Sequence, residues 1–265
     1  MTHITESTAP QGFIDFAPVV DVARYGETPD ILFVCEHASN RVPVALDRLG
    51  LNDEALQSHI AWDPGALEVA DRTAQRLNAT LVHGCVSRLV YDCNRPPEAL
   101  SAIPEKSEAF DIPGNQQLSM AERAARAERV HAPFHATLAR EIEVNASTLR
   151  LMVTLHSFTP VYCNAHRDVE LGILHGRDDR FARTMMQHVP DQKSYDVRLN
   201  EPYSAQDGVA HTLDLHCAHS GLPNVMIEIR NDLIRSAQEQ DQMAAYIAQW
   251  ITETLGRSKP ERGTQ

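Results

Sequence analysis

Short apolar runs alternate along this chain with stretches whose apolar residues recur every three or four positions. The runs ILFVC (31–35), ATLVHG (79–84), RLVYD (88–92), LMVTLH (151–156), VELGILH (169–175) and NVMIEI (224–229) have the length of strands. They are apolar at nearly every position rather than at alternate ones, which predicts strands covered on both faces. Helical periodicity marks 66–77, 120–145, 179–188 and 237–255. In the second of these, Val130, Phe134, Leu138 and Ile142 recur every four residues, away from Glu122, Arg123, Arg126 and Glu141, and Ser119 suits an N-cap. Strands alternating with helices predict an α/β fold of three layers, a mixed, mostly parallel sheet with helices on both faces.

A chain of 265 residues, 43% hydrophobic, suffices for one large core. We expect a partly ordered arm over 1–28, a single α/β domain over 29–256 and a flexible tail over 257–265. Lys and Arg number 24 against 36 Asp and Glu, for a net charge of −12, and this balance argues against nucleic acid as a partner. No apolar run is long enough for a bilayer, and the first residues lack the basic and apolar regions of a secretion signal, so a cytoplasmic location without membrane contact is expected. Five widely spaced cysteines with no CxxC pair fit reduced thiols.

In open α/β sheets ligands gather beyond the carboxyl ends of the strands. The polar residues that follow the apolar runs therefore form the candidate site: Glu36-His37, Asp92-Cys93-Asn94-Arg95, His156-Ser157 and Glu228. Two strand-end histidines beside carboxylates are what a catalytic zinc or similar divalent ion needs, since such a site takes three N and O ligands and keeps one position open. His37 and His156 are two candidate ligands. Asp63, in the turn of HIAWDPGA, is the first choice for the third and Glu36 the second; a helix-capping role for Asp63 is the competing reading. Glu228, ending an apolar strand, suits a general base for water attack, against a plain salt bridge to Arg230 or Arg235. Arg88 and Arg95 around Asn94 offer planar guanidinium forks for a substrate carboxylate.

The segments CEHASNRVP, AWDPGA, SRLVYDCNRPP, TLHSFTP, NEPYS and GLPNVMIEIRNDLI, in this order and from about residue 30 to 235, resemble the N-formylglutamate amidohydrolase family. That family is similar in turn to the zinc carboxypeptidase and aspartoacylase-like hydrolases, which implies a phosphorylase/hydrolase-like fold. By the resemblance His37 and His156 are zinc ligands, Asn94 with Arg95 holds a substrate carboxylate, and Glu228 is the general base. Ser157 and Tyr203, within the matching TLHSFTP and NEPYS segments, join Arg88 as expected substrate contacts. The chain departs from the wider group at Asn40, where a zinc-binding Glu is usual. Its EHASN and AWDPGA forms resemble a divergent branch, for which several N-acylated amino acids are candidate substrates.

Other histidines are less informative. His131 and His135 stand four apart on a predicted helix without the Glu of HExxH and read as ordinary helix residues. Of His211, His216 and His219, ahead of the last strand, His216 is a possible substrate or transition-state contact. The expected function is a metal-dependent hydrolase of a small N-acylated acidic amino acid. The rivals are a non-catalytic binder of small anions in the same pocket and a cysteine- or serine-dependent amidase using Cys35, Cys93 or Ser157, although GxSxG is absent.

Overall fold

The computed structural model describes residues 16–191, 195–204 and 207–257. Residues 1–15 of the expected arm and 258–265 of the expected tail lie outside the described residues. A seven-stranded sheet runs in the order β1 (Val20–Arg24), β3 (Thr80–Gly84), β2 (Ile31–Cys35), β6 (Leu151–Phe158), β11 (Asn224–Arg230), β9 (Leu171–Leu174) and β10 (Val197–Leu199). Its four central strands β3, β2, β6 and β11 are mutually parallel, β1 and β9 pair antiparallel to their neighbours, and β10 runs parallel to β9. The sheet is mixed and mostly parallel, as the near-continuous apolar runs predicted.

Helices cover both faces. Phe33, Val153, Leu155 and Ile227 point to the side of α2 (Ala66–Arg76), α5 (Arg180–Met186) and α7 (Ala237–Arg257), where Val69, Met185 and Trp250 are fully buried. Leu32, Val34, Met152 and Met226 point to the opposite side, packed with Phe134, Leu138, Leu213 and Ile60. That second layer includes α1 (Asp53–Gln57), α4 (Ala132–Val144) and α6 (His211–Cys217). Period-two alternation then decides the site, because His156 and Glu228 continue the second face one step past Thr154 and Met226. They stand side by side in register on the paired strands β6 and β11.

The structure differs from the predicted elements in three places. The run RLVYD is not a strand. Leu89, Val90 and Tyr91 are buried, but the backbone turns, with Val90 N–H on the Ser87 carbonyl at 2.9 Å and Asp92 N–H on the Ala102 carbonyl at 2.8 Å. A short apolar run records burial and not the partner of its backbone. The helix over 120–145 divides into α3 (Met120–Arg126), one π turn over Ala127–His131, and α4. Its start is as expected, with a reciprocal capping box between Ser119 and Glu122. The edge strands β1 and β10 were not predicted, since only one side of each has a strand partner and their burial is partial. Two small hairpins, β4 (Lys106–Ser107) with β5 (Phe110–Asp111) and β7 (Val161–Tyr162) with β8 (Ala165–His166), stand outside the sheet. Among the described residues no helix is long and apolar enough to cross a membrane.

Candidate active site

A cavity of about 690 Å³ opens over the carboxyl ends of β2, β6 and β11. It is lined by ten of the residues singled out from the sequence: His37, Asp63, Arg88, Asp92, Asn94, Arg95, His156, Ser157, Tyr203 and Glu228. The β4–β5 hairpin contributes Lys106 and Ser107 to its wall, and the β7–β8 hairpin contributes Tyr162.

At the floor, His37, Asp63 and His156 each offer a ligand atom within 4.8 Å of the others, all three side chains buried. Asp63 reaches this place because its own N–H bonds the carbonyl of His37 at 2.9 Å, pinning the Asp-Pro-Gly turn to the end of β2. Gly65 starts α2 with φ near +80°, and a Cβ there would lie 2.7 Å from the Ile234 carbonyl oxygen, so only glycine fits. The helix start makes no side-chain cap bond, and the competing capping role for Asp63 is not seen. Its carboxylate goes to the histidines instead: Oδ2 lies 2.9 Å from His156 Nδ1 and 3.3 Å from His37 Nδ1.

The far side of each imidazole meets another carboxylate. His37 Nε2 stands 2.7 Å from Asp92 Oδ1, and His156 Nε2 stands 3.2 Å from Glu36 Oε2. Carboxylate–imidazole pairs of this kind set the ring orientation and basicity of metal-bound histidines. Glu36, the second choice for a third ligand, therefore lies behind His156 and outside the cavity lining. Asn40 is also elsewhere, donating its amide to the Leu56 carbonyl at 2.9 Å.

The electrostatics follow from three buried carboxylates in one place. Burial alone would raise Asp63, but His37, His156 and Arg88 outweigh it and hold its carboxyl far below the usual range. Glu36, likewise opposed by burial, is pulled down to about 2 by His156 and His37. Burial would lower the His156 imidazole, yet Glu36 and Asp63 hold it well above its ordinary value. The cluster thus demands positive charge, and protons on the imidazoles supply it when no cation does. The donors also suit a divalent ion, because tetrahedral zinc with ligands at about 2.0–2.1 Å has ligand edges of about 3.3 Å. Both Glu36 carboxylate oxygens and His156 Nε2, though buried, make no hydrogen bond among the described residues, so the Glu36–His156 pair is a charge contact rather than a hydrogen bond.

Glu228 stands apart from these pairs. It is buried, its Oε2 has no hydrogen-bond partner among the described residues, and burial pushes its carboxyl up to about 7. The salt bridge to Arg230 is not made, since that guanidinium holds Asp232 at 2.8 Å and Glu170 at 3.3 Å.

The expected substrate contacts divide. Arg88 spans Asp63 Oδ1 at 3.2 Å and Asp92 Oδ2 at 3.0 Å, fastening the carboxylates of the floor. Asn94 is a clasp, its amide donating to the Val209 carbonyl and its Oδ1 accepting from Thr212 N–H at 3.0 Å. The Ser157 hydroxyl donates to the Pro64 carbonyl at 2.9 Å. Among the described residues Arg95 donates through Nη1, to the carbonyls of Gly208 and Asn94. Sequence reasoning missed Arg167, which lines the cavity, donates to the Tyr203 hydroxyl at 2.9 Å and lies 4.6 Å from the Tyr162 ring centroid. Its flanking stretch, NAHRDV, is polar without periodicity and carried no signal.

His216, expected as a possible substrate or transition-state contact, lies outside the cavity lining. It lies on α6 with Nε2 2.9 Å from His135 Nδ1. Cys35 and Cys93 are buried outside the cavity lining, and burial raises both thiols well above their ordinary range, so neither is placed as a nucleophile.

A protein of Agrobacterium tumefaciens is 48% identical in sequence, with 91% of this chain and 96% of that chain covered at a TM-score of 0.88. The N-formylglutamate amidohydrolase of Ralstonia eutropha JMP134 shares the fold at 17% identity, with 89% of this chain and 98% of that one covered and a TM-score of 0.59. No protein of curated function matches. A family model for N-formylglutamate amidohydrolase matches residues 30–235, which hold every residue of the cavity floor. By that match the chain belongs to the N-formylglutamate amidohydrolase family.

Proposed function

We propose that this amidohydrolase is metal-dependent and cleaves the amide bond of a small N-acylated amino acid with an acidic side chain, N-formylglutamate being one candidate. The observation that carries this reading is the pair of imidazoles whose Nδ1 atoms face one oxygen of Asp63 while carboxylates back both Nε2 atoms, beside the unpartnered Glu228. His37, Asp63 and His156 would hold the ion, with zinc first in order for such N and O ligands. A divalent ion there supplies Lewis acidity, polarising the amide carbonyl and making water a stronger nucleophile at neutral pH.

The chain's own residues do the rest. Glu228 accepts the proton of the attacking water at Oε2 and passes it to the departing amine nitrogen, so that amide and water become carboxylic acid and amine. Asp92 orients the His37 imidazole, Glu36 places its charge beside that of His156, and Arg88 fixes Asp92 and Asp63 in turn. Arg95 and Arg167 give the cavity the positive charge that a substrate carboxylate requires. An anion binder would have no use for a buried carboxyl facing the same cavity, and this favours the hydrolase over the binding protein.

The test is a panel of N-formyl, N-acetyl and N-succinyl derivatives of glutamate, aspartate and alanine. Each is assayed before and after metal stripping, and after alkylation of thiols. Hydrolysis that favours the acidic members, disappears with the chelator, returns with Zn2+ and survives alkylation is expected. Hydrolysis untouched by thorough metal removal, or cleavage of no member, would overturn the proposal.

A further inference from the structure

On the far side of the Asp92–Arg95 loop from the cavity lies a second group of imidazoles. The π turn over Ala127–His131 ends in His131, and His135 follows one turn later on α4, so the two rings share a face with centroids 4.2 Å apart. His211, the first residue of α6, meets them from across the gap, with its Nε2 3.3 Å from His131 Nε2. One nitrogen from each of His131, His135 and His211 lies within 4.8 Å of the other two.

From this geometry we infer that His131, His135 and His211 form a second transition-metal site, independent of the catalytic floor, that staples α4 to α6. The separation between His131 Nε2 and His211 Nε2 equals the ligand edge of a tetrahedral ion bound at about 2.0–2.1 Å. His135 Nε2 lies 2.9 Å from the Cys93 carbonyl oxygen and must donate to it, so in a neutral ring Nδ1 carries the lone pair. A backbone carbonyl behind a histidine is a common partner of a metal ligand. His216 Nε2 stands 2.9 Å from that Nδ1 but outside the three-nitrogen group, which leaves the fourth position to solvent. All-imidazole donors select Zn2+, Co2+, Ni2+ or Cu2+ over Ca2+ and Mg2+.

The approach to the site agrees. His131 and His211 are only partly buried, so an ion can enter from solvent. A metal here would brace the loop through Cys93 and through Asn94, whose side chain already clasps Val209 and Thr212 at the start of α6.

The probe is Co2+, counted by equilibrium dialysis and elemental analysis in wild type, His131→Gln and His211→Asn. Each variant is expected to hold one equivalent fewer than wild type, and to lose a visible absorption band of tetrahedral Co2+ that wild type shows. Equal Co2+ counts in folded wild type and variants would overturn the site. A measurement on wild type alone covers variants that do not fold. In 15N-histidine spectra, Zn2+ is expected to move the assigned ring signals of His131, His135 and His211, and signals that stay still overturn the inference equally. Neither readout depends on His37, Asp63 or His156.

Discussion

Replacing Glu228 by glutamine separates chemistry from architecture, because the two roles have effects of opposite sign. The glutamine keeps the shape but cannot take a proton. A positioned acid–base group contributes roughly 10²- to 10⁴-fold, and a rate loss of at least about 10²-fold with intact metal content is expected. The stability change follows from linkage. Burial raises the folded-state carboxyl from an ordinary 4.5 to about 7, so the folded protein resists ionising this group. Its contribution to stability is therefore greatest below pH 4.5 and is lost as pH rises through 7. At about 1.4 kcal/mol per unit, the ionised group costs metal-stripped protein up to about 3 kcal/mol above pH 7, which the neutral amide avoids. Urea melts of stripped wild type and Glu228→Gln at pH 5 and pH 8, with single-turnover rates on the metal-loaded proteins, read both effects. The variant is expected to gain on wild type in stability between the two pH values while losing its rate. A variant that is destabilised at pH 8 with a normal rate per folded molecule would refute the reasoning, because Glu228 would then be a structural partner.

Three further outcomes are expected. Arg95→Lys and Arg167→Lys keep the charge but lose the planar fork, so kcat/KM for acidic substrates should fall roughly 10-fold, mainly through KM, and less for alanine derivatives; equal losses on both would count against carboxylate binding. Gly65→Ala places a Cβ 2.7 Å from the Ile234 carbonyl at a φ near +80°, and should lower unfolding stability by about 1–3 kcal/mol and disturb Asp63, which a melt and an assay check together. For the metal-free second cluster, the His135 folded-state value of about 3 lies below the unfolded 6.5, so the unfolded chain binds the extra proton and stability from this group falls as pH drops below 6.5. The stability advantage of wild type over His135→Gln should then shrink by about 1 kcal/mol per pH unit from 6.5 toward 4, and a constant difference would show that His135 is not held neutral.

Much of the fold was legible because the central strands are covered on both faces, and this burial writes itself into near-continuous apolar runs. The edge strands β1 and β10, half-covered, left no such record, and RLVYD carried the record of burial without being a strand. The site was legible to the degree that it hangs on strand ends: His37, His156 and Glu228 reach the cavity through positions that alternation and topology fix. Asp63 was legible as a turn residue, but its nearness to both histidines depends on how the Asp-Pro-Gly turn docks on β2. The roles of Arg88 and Asn94 depended on partners 25 and 118 residues away, beyond the reach of local pattern. Arg167, on an irregular segment after the β7–β8 hairpin, is placed by tertiary packing alone. His131 and His135 read as ordinary helix residues, and His211 and His216 as a separate group ahead of the last strand, because the facing of α4 and α6 has no local signature.

The central claim is that His37, Asp63 and His156 hold a divalent ion required for amide hydrolysis. Its most direct measurement is the metal content of protein purified without added metal, for wild type and for His37→Ala, Asp63→Ala and His156→Ala, with turnover of the best N-acyl substrate on the same preparations. Each variant should hold one ion fewer than wild type and lose turnover by at least about 10²-fold while keeping its far-UV circular dichroism. Folded variants with the metal content of wild type, or with turnover that persists without the ion, would contradict the account.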